Sequence, residues 1–480
     1  MGQNLKTNTV LNTIKTLVSI IFPIITFPYV SRILLPDNIG KVNFAISYIN
    51  YFILIASLGI STYAIRKCAA KKDDKEELSN IASQLYSINV IMSIIAYIAL
   101  FLTLFFCERL EHFKTLILIE SFTIWGTTIG AEWLNQAMED FKFITIRYVC
   151  FQFLALILIL LLVRQQDDYV IYTIILVGTN LGTNITNYFY RKKICKVSFV
   201  LKIDWKLHFS PIMYLFVMSL SQIIFNNVDV SMLGLMWNDY QVGIYTTAHK
   251  ITLIVSSVVQ SLALVIIPKL SYYFEKKDYD NINRLLRKVL MFNISLGLPC
   301  VMGVWVMSKD IAFLVGGVEY AAAAPVMQIL IFSFLFSLVG GSFLGNAILI
   351  PSKQEKYYMI VCCITAVVNF VLNLILIPKF ASIGAAISTA FNGFLIMFLL
   401  FFKVDKNIRI NNLTSIFVGP LIGCAVIYLC CKFLSVVDDY WTRVICSILV
   451  SLISYTVILV VTKNEFGIEI FQAIKNKLKK

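Results

Sequence analysis

Two opposite charges stand out in a chain that has little room for either. Asp229 falls within the apolar stretch 211–236. Lys250, beside His249, falls within 243–268, and a short polar turn at 237–242 joins the two stretches. Each stretch exceeds the roughly twenty residues a helix needs to cross a hydrocarbon core. Asp229 precedes the turn, and Lys250 follows it, by roughly eight residues, which at about 1.5 Å of rise per residue puts both about 12 Å below the same face. An isolated Asp or Lys at that depth costs at least about 2.5–3.5 kcal/mol on insertion scales. Equal depth on antiparallel neighbours lets each charge partner the other or face a shared aqueous cavity. The chemistry in view is charge held or moved inside a membrane, with Asp229 as a coupling acid.

Other spans carry polar residues at helical spacing. The second has Asn43, Ser47, Asn50, Ser57 and Ser61; the sixth has Asn180, Asn184 and Asn187, then Arg191. The seventh has Ser219, Gln222, Asn226 and Asp229, and the eighth has Thr246, Lys250, Ser257 and Gln260. Steps of three, four or seven put these on one face. For any single Ser or Asn, hydrogen bonding between packed helices is the simpler account, at about 0.6 kcal/mol each. Four continuous stripes, two with a full charge, point instead to a water-filled cavity. The fourth span adds Glu132, on a face with Trp125 and Thr128, as a second coupling acid; an acid so near the inner interface is also simply hydrated, and both readings stand. His249 points about 100° away from Lys250 and reads as a packing residue. Pro23 and Pro28 in the first span, and Gly340, Gly341 and Gly345 in the tenth, supply bends or close approaches.

The elements that must position these residues follow from composition. Of 480 residues, 59% are hydrophobic and 14% charged, with a mean hydropathy of +0.81. A soluble domain needs about 25% charged residues, so the class is an all-α polytopic membrane protein. About fourteen spans are expected, at 10–30, 42–64, 81–107, 115–138, 143–163, 169–190, 211–236, 243–268, 289–308, 324–350, 358–378, 383–402, 413–434 and 443–463. The chain has 41 Lys and Arg against 27 Asp and Glu, a formal charge of +14. The basic residues gather in alternate loops, which places both termini in the cytoplasm. That pattern assigns the positive charge to the inner face and its anionic lipids, and excludes nucleic acid as a partner. The run after Lys15 is too long for a cleavable signal peptide. The tail 466–480, with Phe466, Ile470, Ile474 and Leu478 opposite Lys475, Lys477 and Lys479, is expected on the inner membrane surface.

Enzymatic constellations are missing from the sequence. It has no glycine-rich phosphate loop with its Lys and Ser/Thr, and three scattered histidines make no ordinary zinc site. Eleven cysteines lack ligand or redox spacing. No enzyme activity, cofactor or metal is expected. The outer loops are short, which leaves no outer domain for chemistry. The inner loops 191–210 and 269–288 are longer, and the first marks a candidate repeat boundary: Val30-Ser31, Ile39-Gly40 and Ala45 correspond to Val230-Ser231, Val242-Gly243 and Ala248. Chance similarity between apolar helices is an equally good account of so short a match.

Longer motifs carry a resemblance. Phe27-Pro28-Tyr29-Val30-Ser31-Arg32 with Gly40, then Glu132-Trp133-Leu134-Asn135-Gln136 and Glu139-Asp140-Phe141-Lys142 with Ile144-Thr145-Ile146-Arg147, occur in order. Asp229, Met232-Leu233-Gly234, Val242-Gly243-Ile244-Tyr245, Ala248, Lys250 and Pro268 follow. Together they resemble the bacterial O-antigen and capsule flippases, the Wzx-type polysaccharide transporters of the multidrug/oligosaccharidyl-lipid/polysaccharide (MOP) exporter superfamily. The resemblance covers about residues 8 to 402, with departures at Ala137, where the family usually has Gly, and His249, usually Glu.

The resemblance implies a MATE-like fold of two six-helix bundles, 1–190 and 211–402, joined by the basic linker 191–210, with an extra helix pair and basic tail at 403–480. It implies export of an undecaprenyl-diphosphate-linked oligosaccharide from the cytoplasmic to the periplasmic leaflet of the inner membrane, with H+ or Na+ as coupling ion. Membrane lipids, a polysaccharide polymerase and chain-length proteins are the implied partners. Lys15, Arg32, Arg66 and Lys250 become the cations for a diphosphate, with Asn180, Asn184 and Asn226 in the substrate cavity and Asp229 and Glu132 as coupling acids. A cation-coupled drug exporter of the same superfamily is the competing reading, though it calls for an acidic aromatic cavity. A membrane polysaccharide polymerase is a third, and calls for a sizeable outer loop.

Overall fold

Carboxylates begin several helices of this chain, and left-handed residues break others. Asp74 accepts from the backbone N–H of Glu76 and Glu77, and Asp140 from that of Phe143, each capping the helix that follows. The structure, a computed structural model, describes residues 5–263, 266–410, 412–469 and 472; among these, every regular element is helical. The Gln260 side chain and most of the basic tail (470, 471 and 473–480) lie outside the described residues. Among those described, nine helices are long and apolar enough to cross a membrane, and the chain is a multi-pass membrane protein. Exposed Ile445, Leu449, Leu452 and Ile453 on one of them suit lipid rather than water.

The fold divides into two compact units, 1–243 and 244–480. The first holds α1 (Leu5–Ser57), α2 (Ile60–Ala69), α3 (Lys75–Phe106), α4 (Lys114–Gly130), α5 (Glu132–Ala137), α6 (Phe141–Leu162), α7 (Tyr169–Arg191) and α8 (Trp205–Met236), and the start of α9 (Asp239–Ala263). α1 breaks at Leu35 (φ 61, ψ 170), just before Pro36. The break falls between the spans expected at 10–30 and 42–64, and a helix is readily interrupted just before a proline. The second limb of α1 packs on α8 through its own expected stripe, which meets Asn227 and not the expected, exposed Asn226: Ser47 Oγ donates to the Asn227 carbonyl at 2.9 Å, and Asn50 Nδ2 to Asn227 Oδ1 at 3.0 Å. These residues hold helices together. A buried cluster of Ile60, Leu78, Leu85, Ile88, Trp133, Leu134 and Ile212 forms the core around α2, α3 and α5.

Near the break, two helix starts cross without side chains between them. A Cβ on Gly40 would stand 1.9 Å from the Asp239 carbonyl oxygen, and one on Gly243 would stand 1.9 Å from that of Pro36. Each glycine therefore faces the carbonyl four residues before the other.

The second unit holds the rest of α9, α10 (Ile267–Lys276), α11 (Tyr279–Gly316), α12 (Ala323–Ser337), a π-helical stretch (Leu338–Leu349), α13 (Glu355–Phe401), α14 (Leu413–Leu434) and α15 (Tyr440–Val461). α13 breaks at Ala381 (φ 50, ψ −128), dividing it into the two limbs expected at 358–378 and 383–402. Leu270, Ile282, Leu286, Leu290 and Ile294 pack there with Phe343, Leu344 and Ile348. With α1 and α13 each folded into two limbs, the all-helical plan accommodates the expected number of crossings.

Candidate functional site

A cavity of about 450 Å³ lies within the first unit, walled by α1, α2, α4, α5, α6 and α7. α1 supplies Lys15 and Phe22, α2 Ser61 and α4 Thr127; α5 adds Glu132, Trp133 and Gln136. α6 supplies Tyr148, Phe151, Gln152 and Ala155, and α7 the row Leu176, Thr179, Asn180, Thr183 and Asn184. The α4–α7 wall closes because Gly130 leaves room for an amide: a Cβ there would meet Asn184 Oδ1 at 2.1 Å. Asn184 Nδ2 donates to Asn180 Oδ1 at 2.9 Å, so the two amides form one polar strip. Asn187, next on the stripe, turns away from the cavity. It donates to the Gly130 carbonyl at 2.6 Å and accepts from Asn135 at 2.8 Å.

The charges of this site meet at one carboxylate. Glu132 Oε1 accepts from Lys15 Nζ at 3.0 Å and from Gln136 Nε2 at 3.2 Å. Its Oε2 accepts from Arg147 Nη2 at 2.5 Å. The Arg147 side chain is 3% exposed, against 26% for Lys15 and 28% for Glu132. Arg147 is thus buried behind the carboxylate, and the other two reach the cavity. Lys15 also stands 5.6 Å from the centre of the Tyr148 ring, and Arg147 5.3 Å from that of Phe143. α6 is fixed against α1 by Thr145 Oγ1, which donates to the Leu11 carbonyl at 3.1 Å.

Glu132 is therefore not on one continuous face with Trp125 and Thr128, because Ala131 is left-handed (φ 46, ψ 50) and separates α4 from α5. Nor is it only hydrated, since two cations bind it. Sequence reasoning gave no site role to Arg147, Tyr148, Gln136 or Gln152, although Gln136 and Arg147 stand in the motifs that carry the resemblance. Arg147 sits fifteen residues after Glu132, in a stretch where the inner-face excess of basic residues already accounts for an arginine.

The structure brings Lys15, Glu132, Asn180 and Asn184 to this cavity. Arg32, Arg66 and Asn226 are exposed and are not among the residues that wall it. Asp229 is buried on α8 in the first unit, and Lys250 is half-buried on α9 in the second. The His249 ring lies 5.8 Å from that of Tyr245 at an interplanar angle of 16°, a stacked contact that agrees with its reading as a packing residue. Among the described residues, no group of His, Cys, Asp and Glu could hold a metal ion.

Comparison with known proteins adds what geometry alone leaves open. The profile of the family described as "Polysaccharide biosynthesis protein" matches residues 5–274, and that of MatE matches 215–375. The chain is 23% identical to the "Capsular polysaccharide biosynthesis protein CapF" of Staphylococcus aureus over 383 residues, 77% of this chain and 91% of that one. It is 29% identical to the "Probable low-salt glycan biosynthesis flippase Agl15" of Haloferax volcanii over 181 residues, 37% of each chain. Among solved structures, that titled "Lipid II flippase MurJ, inward closed conformation" is similar at a TM-score of 0.74, with 17% identity over 96% of this chain and 99% of that one. At that identity the likeness shows the fold.

Proposed function

The chain belongs to the polysaccharide biosynthesis protein family, and from that premise we propose that it is a flippase for an undecaprenyl-diphosphate-linked oligosaccharide, an O-antigen or capsule repeat unit. It carries that lipid from the cytoplasmic to the periplasmic leaflet by alternating access. Its relatives named as flippase and capsule biosynthesis protein support the class. The observation that carries the substrate reading is the cavity of the first unit. Its walls combine amides and hydroxyls, which suit sugar, with Lys15 on a carboxylate that a buried Arg147 backs, which suits an acidic group. An exporter of cationic drugs would need the opposite balance of charge.

In this reading Lys15, Arg32, Arg66, Asn180, Asn184, Asn226 and Lys250 serve the headgroup along its route. Asp229 and Glu132 couple the movement to an H+ or Na+ gradient, in an inner membrane with both termini cytoplasmic. The test is transport of a fluorescent undecaprenyl-diphosphate oligosaccharide in proteoliposomes, read by access of an added lectin to the outer leaflet. Transport that rises with an imposed ion gradient supports the reading; lectin access no faster than in empty vesicles overturns it. Asp229→Asn with Lys250→Gln inserts normally and fails to transport if these charges carry coupling. Full transport by that double variant removes both from the mechanism.

A further inference from the structure

Glu132 uses both of its oxygens on cations that come from two different helices, Lys15 on α1 and Arg147 on α6. Arg147 is only partly used in return: Nη2 bonds the carboxylate, while Nε and Nη1 are buried with no partner. A guanidinium offers five donors in a planar fork that fits a phosphate as well as a carboxylate. Buried donors left unpaired are costly, and a phosphate-bearing group brings more acceptor oxygens than Glu132 can. The Glu132 side chain needs no backbone change to leave, since it already borders about 450 Å³ of cavity beside Gln136 and Asn180.

Resting on the flippase reading above, we propose that Glu132 is a resident counter-anion. It holds Lys15 and Arg147 together, and the phosphate-bearing headgroup of the substrate takes over both cations by displacing it. The headgroup brings more negative charge than the carboxylate it displaces. With Glu132 in place the triad carries a net +1; with the carboxylate swung aside, two cations meet a doubly charged headgroup. The same carboxylate then competes for the cations and drives release, so binding stays weak enough for turnover. A carboxylate kept only to neutralise buried cations would stay bound to them when the headgroup enters.

The test uses the full-length chain in lipid nanodiscs, with undecaprenyl diphosphate and inorganic pyrophosphate as probes and phosphatidylglycerol as the control lipid. Glu132→Gln keeps the shape of the side chain and removes its charge. It should bind both probes at least about tenfold more tightly, while transport falls through slow release. Adding Lys15→Gln to it should return affinity to the wild-type level or below. Wild-type protein provides an independent reading through carbodiimide labelling of carboxylates followed by peptide mass spectrometry. Pyrophosphate should raise labelling at Glu132 several-fold, with no change at Glu77 on the protein surface. Probe binding with Glu132 labelling unchanged or reduced overturns the inference, as does Glu132→Gln binding no more tightly than wild type. Those outcomes leave the flippase reading standing. Wild-type protein that binds neither probe overturns both.

Discussion

Each unit carries a pocket of similar volume, the second one the more open, and their linings differ in kind. The first unit's, at about 450 Å³, is built from Lys15, Glu132, Gln136, Gln152, Asn180 and Asn184 among others. The second unit's, at about 520 Å³, is bounded by Trp305, Pro325, Ile329, Phe332, Phe336 and Ala390, with Gln328 the one polar side chain on its wall among the described residues. Gln328 is tied down: its Nε2 donates to the Trp305 carbonyl at 3.2 Å. Helices of the same general kind thus line a charged cavity in one unit and an open apolar pocket in the other. What a chamber receives is decided by a few side chains on its walls, because the helical backbone satisfies its own hydrogen bonds and leaves none to offer.

The largest expected effect comes from forcing the first cavity toward the second. Glu132→Leu leaves the Arg147 guanidinium buried without its counter-charge, and should destabilise the protein by about 3–5 kcal/mol. Thermal unfolding in detergent would show this as a lowered midpoint, together with lost transport. The converse change is mild. Gln328→Leu completes an apolar wall at the loss of one hydrogen bond, and should shift stability by no more than about 1 kcal/mol, with transport retained. If both variants behave alike, the contrast between the chambers has no functional content.

The smallest effect is expected at two exposed loops, one in each unit. Asp168 lies below the usual carboxylate range because the backbone N–H groups of Arg164 and Gln165 donate to it. Asp439 is lowered likewise, by the hydroxyl and then the backbone N–H of Thr442. A depressed carboxylate stabilises above its unfolded value of about 3.9 and loses that contribution as pH falls through the folded value. Neither cap should change between pH 5 and 8. Asp168→Asn and Asp439→Asn should therefore leave the pH profile of transport unmoved, which assigns any pH dependence in that range to other groups.

Much of the plan was legible in the sequence. Apolar runs and the basic bias gave the spans, and the spacing of Asn180 and Asn184 placed them on one face. The same spacing could not separate them from Asn187, which bonds its neighbours, because a stripe reports a face and not what that face meets. The breaks were harder to read. Ala131 adopts a left-handed conformation that glycine usually marks, so nothing in its identity separates α4 from α5. The break at Leu35 was easier, since with Pro36, Asp37 and Asn38 it falls between the spans expected at 10–30 and 42–64. Arg147 stood in the same motif series as Glu132, but sequence spacing alone did not show that the two side chains meet.

The crossing of Gly40 and Gly243 restricts the routes by which this sequence can change. At either position, alanine puts a methyl group against main-chain oxygen, and no exchange of a neighbouring side chain can clear an obstacle made of backbone. Neither glycine can therefore be replaced first and rescued later. Inserting one residue within the helix between Asp239 and Gly243 fares no better, since it turns the Asp239 carbonyl relative to Gly243 by about 100° around the helix axis. An engineer seeking a permissive site for a tag or a cysteine pair should leave this turn alone and use the exposed loop between α6 and α7, at Gln166 or Asp167.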